Sequence, residues 1–312
     1  MAALQQAAGA PVKRRKGLPG GRSLSHQVVA FSFVAPVFIL LAVFLLYPIG
    51  YVVYLSFEKW NLLGTPTWVG LNNFNNIIFG AFSSDFIKAV TVSVTFTLIA
   101  VPAQVGLGLY LAVLLERELR GRAFFRSVFF FPMVISFTAA GVAFKWMFDP
   151  LVGMIPAALA PLGLTFPNWH ADGMWGMIII VIMNTWKVAG FSMILYLAGL
   201  QGISTELYEA AEIDGVRSAW QRFRHISWPL VMPTTALLVI TNTIGSLQAF
   251  IPFFVMTYGG PGGDTTSIVY FIYNHYTGET GLASAGATLF LLLVLAITAV
   301  QLTITRRRET VA

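Results

Sequence analysis

Six long apolar runs, separated by short polar connections, set the pattern of this chain. They lie near residues 28–55, 86–115, 127–148, 173–200, 229–255 and 282–305. An apolar helix of ~18–25 residues crosses the ~30 Å hydrocarbon core of a bilayer, so each run predicts a membrane-spanning helix. Pro36, Pro48, Pro102 and Pro132 fall within or beside these runs. In lipid such breaks are tolerated where neighbouring helices satisfy the freed carbonyls. Residues 56–85 are rich in Asn, Gly and aromatic side chains and suit an ordered extracytoplasmic cap. Residues 149–172 mix Pro and Gly with apolar stretches and suit a short interfacial helix. Gly259-Gly260-Pro261-Gly262-Gly263 is a strong turn signal. The two halves of the chain show no repeat, which weighs against transporter folds built from paired repeats.

Lys and Arg settle the orientation. They gather in the leading segment (Lys13, Arg14, Arg15, Lys16, Arg22), the second-to-third connection (Arg117, Arg120, Arg122, Arg126), the fourth-to-fifth connection (Arg217, Arg222, Arg224) and the C-terminus (Arg306, Arg307, Arg308). The alternate connections carry Trp60, Trp68, Trp169, Asp85, Asp149, Asp172, Asp264 and Glu279, with few bases. Six spans with both termini cytoplasmic satisfy the positive-inside rule at every loop.

Composition agrees. The chain is 57% hydrophobic and 10% charged, against about a quarter charged in soluble domains. Its net charge of +6 marks the cytoplasmic side of a membrane rather than a nucleic-acid partner. The absence of cysteine excludes disulfides, thiolate chemistry and Cys-ligated metal. The four histidines (His26, His170, His225, His275) share no metal-ligand spacing. Residues 1–25 read as a disordered basic cytoplasmic tail rather than a signal peptide, because the apolar run that follows exceeds a 7–15-residue h-region and no small-residue cleavage site ends it. Residues 26–305 form the six-helix domain, with a cytoplasmic loop at 201–228, and 306–312 a basic C-terminal tail.

The 201–228 loop is conspicuously polar. In Tyr208-Glu209-Ala210-Ala211-Glu212-Ile213-Asp214-Gly215, small residues alternate with charges, which suits a short exposed amphipathic helix. Glu206 and Glu209 fall in its first turns, where a helix N-terminus favours anions. Ala210, Ala211 and Gly215 would let another surface approach closely. Pro229 and Pro233 mark re-entry into lipid. Two readings stand: a solvated loop helix, or a docking element.

The segment resembles the EAA loop of ABC-importer permeases: Glu209-Ala210-Ala211, then Gly215, then Ile226 and Pro229. Leu197-Ala198-Gly199-Leu200-Gln201-Gly202-Ile203, Trp220-Gln221-Arg222-Phe223, Val255-Met256-Thr257-Tyr258-Gly259-Gly260-Pro261 and Tyr47-Pro48-Ile49 with Gly70-Leu71-Asn72-Asn73-Phe74 are similar to the carbohydrate, maltose-permease-like branch. The chain departs from that pattern at Val216 and Trp228, and its gap from Gly215 to Ile226 is one residue longer than the commonest form. The resemblance implies an all-α polytopic type I permease fold in the cell membrane. It also implies a second permease subunit, two ATPase subunits holding ATP and Mg, and an extracytoplasmic sugar-binding protein. Glu209, Ala210, Ala211, Asp214 and Gly215 would then sit in a cleft of the ATPase, the acids capping the helix or pairing with bases. No catalytic, cofactor or metal residue is expected in the chain itself. Gly259–Asp264 is glycine-rich but lacks the Gly-Lys-Ser/Thr of a phosphate-binding loop.

Polar residues inside spans are costly and mark cavities or bundle interiors. Lys187, beside Asn184, Thr185 and Trp186, has two readings. It could line a pore, or it could be an interior lysine that is paired or snorkels to the exported face. Asn242, Thr243, Ser246 and Gln248, ahead of Phe250 and Phe253, suit a sugar, whose faces stack while its hydroxyls bond. They also suit interhelical glue at ~0.6 kcal/mol each. By resemblance, the substrate path runs past Asn184, Trp186, Lys187, Phe191, Asn242, Ser246, Gln248 and Phe250. The expected solute is a mono- or oligosaccharide, with glycerol 3-phosphate or another polyol derivative as the alternative. An ion-coupled secondary transporter would want mid-span carboxylates, and a membrane-embedded enzyme paired carboxylates or His with Asp at one depth; neither pattern is present.

Overall fold

The computed structural model describes residues 24–116 and 120–309. The leading bases Lys13 to Arg22, with Arg117 and residues 310–312, lie outside them. Contacts divide the chain into Met1–Tyr51 and Val52–Ala312. The described residues of the first unit form one helical path: α1 (Leu24–Leu41), a π turn (Ala42–Leu46) and the start of α2 (Tyr47–Leu55). Its apolar side chains are exposed, Phe31 at 75% and Phe33 at 80% among them, as a lipid-facing helix requires. Pro48 lacks the N–H an α turn would use, and its ring would strike a carbonyl one turn back. The π turn that precedes it widens the backbone there.

The second unit begins with the cap expected at 56–85. A two-residue ladder, β1 (Glu58–Lys59) with β2 (Thr67–Trp68), pairs Glu58 with Trp68 and Lys59 with Thr67, and α3 (Asn72–Ile78) follows. Then come α4 (Ser83–Glu116), α5 (Arg122–Val134), α6 (Phe137–Met147), α7 (Met154–Leu159) with a 3-10 turn (Ala160–Leu162), and α8 (Gly173–Gln201). The cytoplasmic loop holds α9 (Thr205–Ile213) and α10 (Ala219–Arg222). A second π turn (Phe223–Ser227), α11 (Trp228–Leu230), α12 (Met232–Leu247), α13 (Ile251–Met256), α14 (Ile268–His275) and α15 (Thr280–Glu309) complete the chain.

Among the described residues, four helical stretches are long and apolar enough to cross a membrane: 31–55, 83–116, 173–201 and 280–306. The third and fifth runs are each broken rather than one continuous helix. α5 and α6 meet at 99°, and the α10–α11 stretch meets α12 at 64°; six spans result if each bent pair is one. The first break is made by two extended residues, Ile135 and Ser136, and the Ser136 hydroxyl caps α6 by accepting from the Ala139 N–H at 3.1 Å. The fifth run breaks again at Gln248–Phe250, so residues 251–256 form a separate short helix.

α4 and α8 form the spine of this unit. A methyl at Gly108 would strike Ser192, and one at Gly190 would strike the Phe129 carbonyl, so these glycines set how closely α4 and α5 approach α8. Three buried clusters result. One lies around Phe96, Ile180, Met183 and Phe253, and one around Leu111, Tyr196, Leu200 and Leu238 toward the cytoplasmic loop. The third lies around Ile77, Phe86, Phe271 and Leu282 beneath the cap.

Candidate coupling loop and translocation path

α9 is short, and its ends are made by sequence-local chemistry. At its C-terminus the Val216 N–H reaches the Ala211 carbonyl at 2.9 Å and the Gly215 N–H reaches that of Glu212 at 3.1 Å. This 6→1 and 5→2 pair is a Schellman closure, which needs a left-handed residue after the cap. Gly215 supplies it at φ +90°, with nothing within 4 Å of where its Cβ would be. Its first role is therefore conformational, and the space over it is open to a partner. α10 opens with a reciprocal capping box between Ser218 and Gln221.

Two bonds brace the loop. The Glu212 carboxylate pairs with the Arg222 guanidinium, joining α9 to α10. The hydroxyls of Tyr208 and Ser227 lie 3.0 Å apart, joining α9 to the π turn. Burial raises the Tyr208 phenol above its ordinary pKa, so it stays neutral. The π turn holds one residue more than an α turn, which accommodates the longer gap between Gly215 and Ile226, and it precedes Pro229 as the first π turn precedes Pro48.

The expectation that Glu209 and Asp214 cap the helix or pair with bases is not met within the chain. Glu209 sits mid-helix, exposed, and neither carboxylate has a hydrogen bond or ion pair among the described residues. Asp214 contributes its backbone at the helix end. The acid that does pair is Glu212, which sequence reasoning passed over. Ala210 is exposed and Ala211 half-buried. Glu206, Glu209, Ala210 and Ile213 share one face by helical spacing, and Ile213 is 88% exposed. Trp220 is 65% exposed beside them in sequence. Ile213 and Trp220 thus leave large apolar side chains exposed on a braced polar loop.

The residues expected along the path divide into two groups. Asn184, Lys187, Asn242 and Ser246 are buried. The Gln104 amide donates to Asn184 Oδ1 at 2.6 Å, tying α4 to α8. Asn242 Nδ2 donates to Ser192 Oγ at 3.3 Å, tying α12 to α8, and Gln301 Nε2 donates to Thr243 Oγ1 at 2.9 Å, tying α15 to α12. Lys187, 3% exposed, donates to the carbonyls of Pro132 at 3.2 Å, Met133 at 3.4 Å and Ile135, with its ammonium 4.5 Å from the Phe137 ring centroid. The Pro132 and Met133 oxygens are orphan carbonyls of the last turn of α5, where a cation also meets the negative end of the helix dipole, and the Ile135 oxygen belongs to the break itself. Lys187 thus closes the break between α5 and α6. Phe191 is half-buried against the cluster around Tyr196.

Trp186, Gln248 and Phe250 remain more open. Trp186 is 38% exposed with its ring 5.2 Å from that of Phe144, and Gln248 is exposed at the end of α12. Phe250 gathers Phe254 at 5.2 Å, Tyr273 at 5.0 Å and Tyr270 at 5.9 Å. The tyrosines belong to this cluster although the spans alone did not point to them; Tyr270 and Tyr273 sit three apart in the connection before α15, on one face of α14. Gln104, Ser192 and Gln301 were missed because each is a lone polar residue in an apolar run, meaningful only beside its partner helix.

The model of one family, described as binding-protein-dependent transport system inner membrane component, matches residues 77–310. The chain is 32% identical over 283 residues to the trehalose/maltose transport system permease protein MalF of Thermococcus litoralis, covering 90% of this chain and 95% of that one. It is 30% identical over 287 residues to the sn-glycerol-3-phosphate transport system permease protein UgpA of Agrobacterium fabrum, covering 91% and 96%. A crystal structure of a bacterial ABC transporter that imports the acidic polysaccharide alginate superposes with TM-score 0.79 at 23% identity, over 91% of this chain and 96% of that one. A bacterial alginate ABC transporter in complex with an alginate pentasaccharide-bound periplasmic protein superposes at 0.77 with 22% identity over the same shares. The broken third and fifth helices, the Schellman-closed loop helix and the matched length agree: the chain belongs to the family of binding-protein-dependent transport system inner membrane components, and is an ABC-importer permease of the type I fold, a transport subunit rather than an enzyme.

Proposed function

We propose that this chain is one of two different permease subunits of an importer that carries a neutral mono- or oligosaccharide across the inner membrane by alternating access. Two separate ATPase subunits, which hold ATP and Mg, grip the loop helix at Glu209, Ala210, Ala211, Asp214 and Gly215, and an extracytoplasmic sugar-binding protein delivers solute to the opposite face. The observation that carries this reading is the braced loop. Its polar contacts are internal, while Ile213 and the open space over Gly215 face outward. An exposed aliphatic residue over a backbone without side-chain cover fits a cleft in another protein, and the unpaired Glu209 and Asp214 are free to meet basic groups there.

The solute reading rests on relatives and on charge. One relative named above carries trehalose and maltose, another glycerol 3-phosphate. An anion would want an available cation in the path, yet the donors of Lys187 are engaged by the three carbonyls at the α5–α6 break. We assign Lys187 to holding that break. Trp186, Gln248 and Phe250, with Tyr270 and Tyr273, supply the aromatic faces and amide a sugar would meet, and Asn184, Phe191, Asn242 and Ser246 shape the wall behind them. Reconstituted vesicles test this: uptake of a neutral sugar should require the ATPase subunits, ATP and the binding protein together. Uptake driven by an ion gradient alone, or uptake of glycerol 3-phosphate in preference to every sugar, would contradict it.

A further inference from the structure

Opposite the coupling loop, the cap holds a cleft that none of the path residues line. Its volume is about 550 Å³, within the ~300–1,000 Å³ usual for small-molecule sites. It lies between the β1–β2 ladder, α3 and the first turn of α15. The frame is fixed. Asn73, 7% exposed, donates its amide to the carbonyls of Ser56 at 2.9 Å and Glu58 at 2.8 Å. The Gly281 N–H donates to the Trp60 carbonyl at 3.3 Å, and any side chain at Gly281 would strike the Glu58 carbonyl. Beneath, Ile77, Phe86, Phe271 and Leu282 form one buried cluster.

The lining combines aromatic and polar side chains. Trp60 and Phe82, both half-buried, offer aromatic faces. Lys59, Thr65, Asn72, Asn76 and Glu279 line the same space, and their side chains make no hydrogen bond or ion pair among the described residues. Elsewhere in this unit the buried amides of Gln104, Asn184 and Asn242 are engaged with side chains of neighbouring helices. Amides and hydroxyls that both donate and accept, set beside aromatic rings, match a ligand with many hydroxyls and apolar ring faces. One ammonium and one carboxylate leave the cleft without net charge, which disfavours an anion.

We propose that this cap cleft is a binding site for a neutral saccharide, separate from the translocation path and placed ahead of it. The proposal rests on the sugar reading given above. Its consequence is a local reservoir: solute released near the cap is held within reach of the path, instead of diffusing away.

The test uses the full chain in nanodiscs, with maltose, trehalose and lactose as probes, and glycerol 3-phosphate as the anionic comparison, read by saturation-transfer difference NMR. At least one of the sugars should bind saturably, and glycerol 3-phosphate should not. The W60A variant and the N72A/N76A double variant should each weaken that binding at least tenfold, while K187M leaves it unchanged. Asn72 is exposed and Asn76 half-buried, so the double variant should keep the wild-type helical melting curve even if W60A does not. Absence of saturable sugar binding, or binding by N72A/N76A equal to wild type, overturns the cleft assignment. Uptake by the complete importer separates the two claims: normal sugar uptake with no cleft binding overturns only this inference, and failure to carry any neutral sugar overturns the function itself.

Discussion

The coupling loop and the interior of the helix bundle treat polar residues in opposite ways. In the loop, Glu212, Arg222, Tyr208 and Ser227 turn inward to brace a short element in water, and the face left outward carries Ile213 and Ala210. In the bundle, Gln104, Asn184, Asn242 and Lys187 turn inward to join helices that lipid surrounds. The lesson is about where an unsatisfied requirement lies. The loop braces itself through these two pairs and leaves an aliphatic side chain and two carboxylates exposed, the face on which the proposed docking rests. The bundle uses most of its buried amides in contacts between helices, although Thr185 Oγ1 and Gln301 Oε1 are buried without a partner among the described residues, so few polar groups remain to recognise solute. Those that remain are aromatic or lie at helix breaks.

The sharpest way to break this comparison is at Gly215. Gly215→Trp places a large side chain both at φ +90° and in the open space where we propose the ATPase docks, so transport-linked ATP turnover should fall to background while membrane insertion is normal. Gly215→Asn, which tolerates the left-handed region, should restore part of it. Equal loss in both variants would assign the effect to docking space alone, with no share for the backbone.

Next in size is Lys187→Met. It removes the donor to the end of α5 and leaves buried carbonyls uncapped, at ~1–3 kcal/mol each for a buried unsatisfied group. Thermal unfolding of the purified chain should shift down by several degrees, with sugar affinity of the assembled importer unchanged. Unaltered melting with altered affinity would return Lys187 to the path. Smaller again is Gln104→Leu, which severs one α4–α8 bond and leaves Asn184 without its donor. The expected loss is ~0.6–1.7 kcal/mol, read as a modest drop in unfolding temperature.

The smallest effect is a pH dependence in the 148–172 connection. The N–H groups of Leu151 and Val152 hold the Asp149 carboxyl below the ordinary Asp range, against a smaller opposing effect of burial, with His170 adding to the depression. A native pKa below the unfolded value means the stabilisation is intact above the ordinary Asp value of about 3.9 and is lost as pH falls through the depressed value. After correction for the intrinsic exchange rate, the hydrogen-exchange protection of Leu151 and Val152 should fall below about pH 4 and stay level between pH 5 and 8. Asp149→Asn should remove that pH dependence.

These contrasts also show what the chain's own letters make legible. The spans of α4, α8 and α15 were readable because lipid demands ~20 apolar residues, and nothing tertiary overrides that demand. The cap and the Gly259–Gly263 turn were readable from Asn, Gly and Pro. The break at Ile135–Ser136 was not. Neither residue is a helix breaker, and Pro132 lies before the break rather than at it. The break persists because Ser136 caps one side and Lys187 the other, and Lys187 arrives from 52 residues away. For the same reason Lys187 stood equally between two readings: a lysine in an apolar run announces an interior position without naming its partner. Gly215 was read as a residue that permits approach, and the turn geometry adds a second requirement that its position just after the Asp214 cap encodes.

The most direct test of the central claim uses the absence of cysteine in the natural chain. Ile213→Cys introduces a single thiol at the outward face of α9, to carry a nitroxide spin label. In the isolated permease the label should be mobile and accessible to water-soluble relaxation agents. On addition of the ATPase subunits it should become immobilised and shielded, and its environment should change again when ATP binds. A label that stays mobile and water-accessible in an importer actively turning over ATP would contradict the account.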